Sequence, residues 1–350
     1  MLIVRASDPR FLSYWKSLTS VCSQWYLAVY GEANLAYYRE YVGNDRQVDH
    51  SFMVVEGEKP VAGMRMFLRK TEGGDSELSC CGLPVCYLES AENMSAFRAG
   101  AHKLVKGELL RLMDSPECPD LVLYRDLLEQ GELSYPSRVL LDLGAQVTPG
   151  FTQVIDLSRP DDELHRSMTK AFKWGVNWGV KNLDLTIMSS DNISVEHVEA
   201  FRLLHLDAAG RETRSRRSWE MQHAMIVANE AFCGFGWLEG QLVTAALFPY
   251  SPVHCFYGVS ASRRELFDKP LSHAVIWTAM LHAKKMGIKC FEMGEQVFPS
   301  TGSRQPTAKE LSISFFKRAF GGATKAYLDI RLSKREVGRS VSTSAESCAS

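Results

Sequence analysis

Long apolar runs are missing from this 350-residue sequence. None approaches the roughly 18 to 20 residues that a membrane-crossing helix needs, so no span is expected. A dominant charge is missing too. Lys and Arg number 40 against 41 Asp and Glu, a net charge of -1, so any polyanion contact has to come from a local patch; DNA is not an expected partner. Cysteine pairing is missing: nine cysteines are scattered with no C-x-x-C spacing. An odd count of that kind argues against a disulfide scaffold and for a reducing cytosol. Cys80, Cys81 and Cys86 lie close together, but no His accompanies them at ligand spacing. They read as buried apolar thiols, and no metal is expected. No secretory leader is expected, because Arg5, Asp8 and Arg10 break the apolar start Met1 to Val4. The expected location is the cytoplasm, where a membrane-bound substrate remains within reach at the inner leaflet. Neither a G-x-S-x-G elbow nor a P-loop occurs, which removes two common catalytic frameworks.

Against those absences stands a hydrophobic content of 45% with 23% charged residues, the composition of a soluble globular chain long enough for two domains. Two segments echo one another. Phe52 to Gly63 reads as strand, tight turn and strand, and so does Phe235 to Ala246, with Glu56-Gly57-Glu58 and Glu239-Gly240-Gln241 as the turns. More strand follows each hairpin, then a helix (Ala91 to Met113; Leu271 to Met286), then a strand (Leu121 to Tyr124; Cys290 to Met293). A duplicated unit of this kind predicts a tandem repeat of one α/β fold. The second helix is bounded by Asp268 and Pro270 before it and Gly287 after it, with Leu271, Ala274, Val275, Thr278 and Leu281 on one face. Residues 333–350 are rich in Ser, Thr and charge and are expected to be disordered.

Three segments carry the chemistry. Ser314 to Gly322 takes two adjacent cations, Lys317 and Arg318, into a Gly-Gly break. Arg166 to Val176 interleaves basic residues with aromatics, and Gly258 to Gly294 runs strand, basic loop, helix, strand. In this order and spacing they resemble the FemABX family of peptidyl and aminoacyl transferases and related acetyltransferase-like proteins of surface-polysaccharide clusters. The resemblance is clearest from about residue 150 to 330. It implies an α/β fold of mixed sheets in two tandem GNAT-like domains, 1–157 and 158–332. Strands Val253 to Val259 and Cys290 to Met293 would splay apart, with the acyl donor between them.

By the same resemblance Lys317, in the pair Phe316-Lys317, stabilises the oxyanion formed when an amine attacks an ester or thioester. A fixed cation beside such charge in a dry site contributes ~3 kcal/mol. Glu295, just beyond a strand end, would take the proton of the attacking ammonium, with His273 as an alternative base. Arg263 and Arg264 precede the helix start after Pro270, where backbone N–H groups are able to hold a phosphate. Arg211, Arg214 and Trp219 belong to the densest basic cluster, with arginine forks for an acceptor phosphate and an indole to stack on a base or sugar. Tyr257, Phe316 and Arg318 complete the substrate-binding candidates, and Arg166, Lys170 and Lys173 are candidates to line the same cleft.

Two departures from the family patterns matter. Nothing from Ser260 to His273 fits the Arg/Gln-x-x-Gly-x-Gly/Ala pyrophosphate loop of GNAT enzymes, and no long helical hairpin appears. The donor is therefore open between acyl-CoA and aminoacyl-tRNA. The expected function is N-acyl transfer to an amine of a nucleotide- or lipid-linked sugar in envelope or surface-polysaccharide synthesis. The alternatives are an acetyl-CoA-dependent acetyltransferase on a small amine and a non-catalytic tandem-GNAT binding protein.

Overall fold

Both expected glycine turns are present in the computed structural model, which describes residues 1–21, 31–41, 47–90, 95–116, 118–128, 131–299 and 305–334. The tail expected to be disordered lies, from 335 on, outside the described residues. In chain order the elements begin β1 (Leu2–Arg5), α1 (Phe11–Val21), α2 (Glu32–Tyr41), β2 (Gln47–Asp49), β3 (Phe52–Glu56) and β4 (Lys59–Arg65). Next come β5 (Phe67–Lys70), β6 (Ser76–Ser79), β7 (Cys86–Glu89), α3 (Ser95–Met113), β8 (Leu121–Asp126), α4 (Tyr135–Asp142) and β9 (Gln146–Asp156). Then α5 (Asp161–Ser167), α6 (Lys170–Asn182), β10 (Asp184–Met188), α7 (Val195–Ala209), α8 (Arg216–Val227), β11 (Ala231–Leu238) and β12 (Gln241–Pro249). Last are β13 (His254–Phe256), β14 (Ser260–Ser262), α9 (Leu271–Lys285), β15 (Cys290–Gln296), α10 (Ala308–Ala319) and β16 (Ala323–Ser333).

Packing divides the chain into two units, and neither is one run of sequence. Of the described residues, one unit holds 1–21, 47–150 and 326–334, and the other 31–41 and 151–325. In the first, β1-β3-β4-β7 form an antiparallel sheet. A second set of strands runs β16-β8-β6-β5-β2, with β6 and β8 parallel. Val105, Leu109 and Leu112 of α3 are buried against Phe52, Val54, Val122 and Tyr124 of these strands.

The second unit repeats the plan. Strands β10-β11-β12-β14 are antiparallel, while β13 and β15 run parallel and β15 pairs antiparallel with β9. Gly57 and Gly240 take positive φ (57° and 77°) at the two hairpin turns, which a residue without Cβ reaches at no steric cost. In each unit one stretch of chain changes partner. Val85 bridges Tyr124 of β8 in parallel, and Cys86 onward pairs with β4. In the second unit Tyr257 N–H still donates to Glu292 of β15, but Gly258 N–H donates to Leu247 of β12. A Cβ at Gly258 would lie 3.1 Å from the Leu247 carbonyl oxygen, so the crossing needs a small residue. The two expected strands are thus paired over His254–Phe256 and part from Gly258 on, which is the predicted splay.

Helix α9 is buried more broadly than its expected face. Leu271, Ala274, Val275, Ile276, Ala279, Met280 and Ala283 are all covered, whereas Thr278 is half-buried and so is Leu281. The reason is that α9 lies between β11 and α6, with Gly234 and Gly179 admitting Val275 and Ala274 at close range. Among the described residues no helix is long and apolar enough to cross a membrane, and no group of His, Cys, Asp or Glu is placed to hold a metal ion.

Candidate functional site

The position of Lys317 is fixed from both ends of α10. At its start Thr307 Oγ1 accepts from the Glu310 N–H, while the Glu310 carboxylate accepts from the Thr307 N–H at 2.7 Å, a reciprocal cap. At its end Gly321 and Gly322 take φ of 91° and 77°. A Cβ on Gly322 would come within 2.2 Å of the Val154 carbonyl oxygen, so only glycine lets the chain pass this close over β9. Between these ends Ser314 Oγ accepts from the Val297 N–H at 3.0 Å and ties the helix to the end of β15. Lys317 Nζ then donates to the Glu295 carbonyl oxygen at 3.2 Å.

Beneath the ammonium β15 is bulged. Its register against β9 shifts between Glu292 and Gly294, and Gly294 has φ of 92°. A Cβ there would lie 3.1 Å from Lys317 Nζ and 3.3 Å from the Phe256 ring. The bulge therefore leaves a hollow that the ammonium and that ring occupy. Deeper in, Glu292 is buried, and its two oxygens face His254 Nε2 at 2.9 Å and Thr152 Oγ1 at 2.6 Å. Withdrawal from water pushes the Lys317 pKa below its ordinary value, and the carboxylates of Glu295 and Glu292 partly oppose that shift. The hollow is thus a half-dry place holding a cation whose charge is little screened, the condition under which it stabilises nearby negative charge strongly.

Three phenylalanines surround the His273 side chain, one of them Phe316, the neighbour of Lys317 on α10. The His273 ring lies 4.4 Å from Phe172, 5.6 Å from Phe316 and 5.9 Å from Phe320, centroid to centroid. Burial lowers its pKa to about 4, so the imidazole is neutral at physiological pH and a weak base. Arg318 donates to Gln296 Oε1 at 3.1 Å and lies over the Phe298 ring at 5.1 Å. The Glu295 side chain is exposed beside this group. Lys317, Glu295, His273, Phe316 and Arg318 are therefore assembled around α10 and the end of β15.

No family model matches the chain, and no curated protein is similar to it in sequence. Solved structures are similar to it. FemX superimposes with a TM-score of 0.68 at 12% identity, over 94% of this chain and 97% of that one. The fold is that of FemX. A conserved protein of unknown function from Bacteroides thetaiotaomicron VPI-5482 gives 0.59 at 11% identity, over 94% of this chain and all of that one (100%). L-PGS from Bacillus licheniformis gives 0.56 at 12%, over 94% and 93%. The mixed α/β fold in tandem units expected from the sequence is thus observed, and the FemX likeness spans nearly the whole length of both chains.

Within this FemX-like fold the remaining candidates lie elsewhere or have other partners. Trp219 is only 3% exposed, packed edge-on against Phe201 and His205, so it is a core residue with no face left for a base or sugar. Arg214 donates toward Tyr37 Oη at 3.4 Å, sits 3.1 Å from His205 Nε2 and covers the Tyr41 ring. Arg211 is exposed on the same α7–α8 loop, and Trp219 just after that loop packs in a hydrophobic cluster separate from the one that holds Ala319 of α10. Arg263 donates to the Leu242 carbonyl and to Glu265, and Arg264 is exposed. Tyr257 Oη donates to Ser260 at 2.8 Å, and burial raises its pKa. Arg166 is exposed and paired with Asp162, while Lys170 is exposed and Lys173 half-buried on α6. Sequence reasoning missed Glu292, His254 and Thr152. Three strands bring them together over separations of 38 and 140 residues, and no local motif marks such a group.

Proposed function

We propose that the chain is an N-acyltransferase, cytoplasmic, that moves an acyl or aminoacyl group to the amine of a nucleotide- or lipid-linked sugar in envelope or surface-polysaccharide synthesis. The observation that supports it most is the Lys317 ammonium held over the Gly294 bulge, beside the point where the chain leaves β15 for β12. The amine nitrogen forms a bond to the donor carbonyl carbon, and the C–O or C–S bond of the donor breaks. Negative charge gathers on the carbonyl oxygen in between, and Lys317 stabilises it. Glu295 takes the proton released by nitrogen, and the departing alcohol or thiol is protonated in turn. The amine attacks directly, so this route needs no covalent enzyme intermediate.

The donor is proposed to be acyl-CoA or aminoacyl-tRNA, and the start of α9 weighs against the first. The Leu271 N–H is bonded to the Lys269 carbonyl at 2.9 Å and the His273 N–H to Pro270 at 3.4 Å. Gly175 of α6 packs on Pro270 besides. These N–H groups are occupied, and no pyrophosphate loop precedes them. Ligand-dependent melting tests the reading. An amino sugar carried on a diphosphate or lipid anchor raises Tm with concentration, by mass action worth ~2.7 kcal/mol at a hundredfold excess over Kd. Free CoA at millimolar concentration leaves Tm unchanged. A response to CoA and to no amino sugar would favour a CoA-dependent acetyltransferase on another amine, and a response to neither would remove the reading.

A further inference from the structure

We propose that the outward face of α6 is a docking surface for an anionic lipid membrane. The inward face of this helix is Phe172, Gly175, Val176 and Gly179, all buried. At 3.6 residues per turn the opposite face carries Lys170, Trp174, Asn177 and Lys181, each exposed, with Lys173 and Val180 along one flank. Trp174 is 61% exposed and Val180 56%. Phe267, on the loop before α9, is 66% exposed. Its neighbour Leu266 packs in the same small cluster as Trp178 of α6, and Pro270 meets Gly175.

Charge selects the occupant. Helix α6 contains three lysines and no carboxylate. Of the flanking acids, Asp161 pairs with Lys284, Asp162 with Arg166, Glu163 with Arg159 and Asp268 with Lys269, while Asp184 is exposed just past the helix end; among the described residues none of them is paired with a lysine of α6. The charge of the lysines is therefore left for an external anion, most fully at Lys170 and Lys173, which lie at the end of the helix away from Asp184. An exposed indole between cations, with aliphatic and phenyl groups alongside, is the pattern of a helix lying in a headgroup layer, where the indole reaches the acyl boundary and the ammonium groups meet lipid phosphates. A strand of RNA would use the lysines and the indole but gain nothing from Val180. This surface narrows the acceptor of the reading above to the lipid-linked kind. It is measured without turnover, so either conclusion can fail while the other stands.

The test is co-sedimentation of the full chain with vesicles of phosphatidylcholine alone or mixed with phosphatidylglycerol. Binding is expected to the mixed vesicles and to weaken with salt. Each lysine near an anionic surface is worth roughly fivefold in partitioning, so replacing Lys170, Lys173 and Lys181 together by Gln weakens binding on the order of a hundredfold. Trp174→Ser weakens it more than tenfold at unchanged charge. Lys170, Trp174 and Lys181 are exposed and the half-buried Lys173 is replaced by a shorter uncharged chain, so circular dichroism and melting of the variants match the parent. Failure to bind the mixed vesicles, or binding that both variants leave intact, overturns the proposal. So does retention of single-stranded RNA through these lysines by a chain that ignores vesicles.

Discussion

Replacing Lys317 by methionine lowers turnover at least tenfold while the chain stays folded. The substitution removes the charge but keeps most of the side-chain volume, and the bonds that seat α10, from Ser314 and from the Thr307–Glu310 cap, are untouched. Loss of one donor aimed at an oxyanion costs ~3 kcal/mol in comparable sites, which is on the order of a hundredfold in rate. The pH profile supplies a second readout. The ammonium is the active form, so activity is present below its pKa and lost as pH rises through it. Burial lowers that pKa. The alkaline limb of kcat therefore falls below the ordinary lysine range, and the residual activity of Lys317→Met lacks it. Equal kcat in the two proteins, at matched Tm, would take Lys317 out of the mechanism.

Glu292→Ala destabilises the chain by about 2–4 kcal/mol, the cost of deleting a buried acceptor that serves two buried donors. His254 is fully buried, and it and Thr152 both lose their carboxylate. Differential scanning calorimetry should show a fall in Tm of roughly 5 to 10 °C. Glu292→Gln keeps one acceptor oxygen and the volume, so it loses less. The two variants share one further effect. The Glu292 carboxylate supports the Lys317 ammonium; without it the lysine pKa drops further, and the alkaline limb moves to lower pH in both. A Glu292→Ala protein that melts with the parent and titrates with it would leave this group with no part in holding the site.

The sequence made the local parts of this fold legible and left the long-range parts hidden. The hairpins were readable because Gly57 and Gly240 mark turns that need positive φ. The splay was expected only through the family resemblance, which the order hairpin, helix, strand helped to carry. Lys317 was singled out because the Phe-Lys pair before a Gly-Gly break is local, and its donation to the Glu295 carbonyl is a contact that only the fold shows. The basic cluster misled for the opposite reason. Arg214 finds Tyr37, 177 residues away, and Trp219 is covered by Phe201 and His205, neither of which a run of cations announces. Likewise the unit boundaries follow packing: residues 31–41 join the later unit and 326–334 the earlier one. Only the folded chain shows that His254, Glu292 and Thr152 meet.

The most direct test of the central claim is to supply an amino-sugar acceptor carrying 15N at its amine, with acyl-CoA and aminoacyl-tRNA donors in separate reactions, and to weigh the products. The account predicts an amide that retains the 15N and gains the donor's acyl group, with its rate cut at least tenfold in Lys317→Met. An acyl group attached through oxygen, no acylated product from either donor, or an amide formed equally fast by the variant would contradict it.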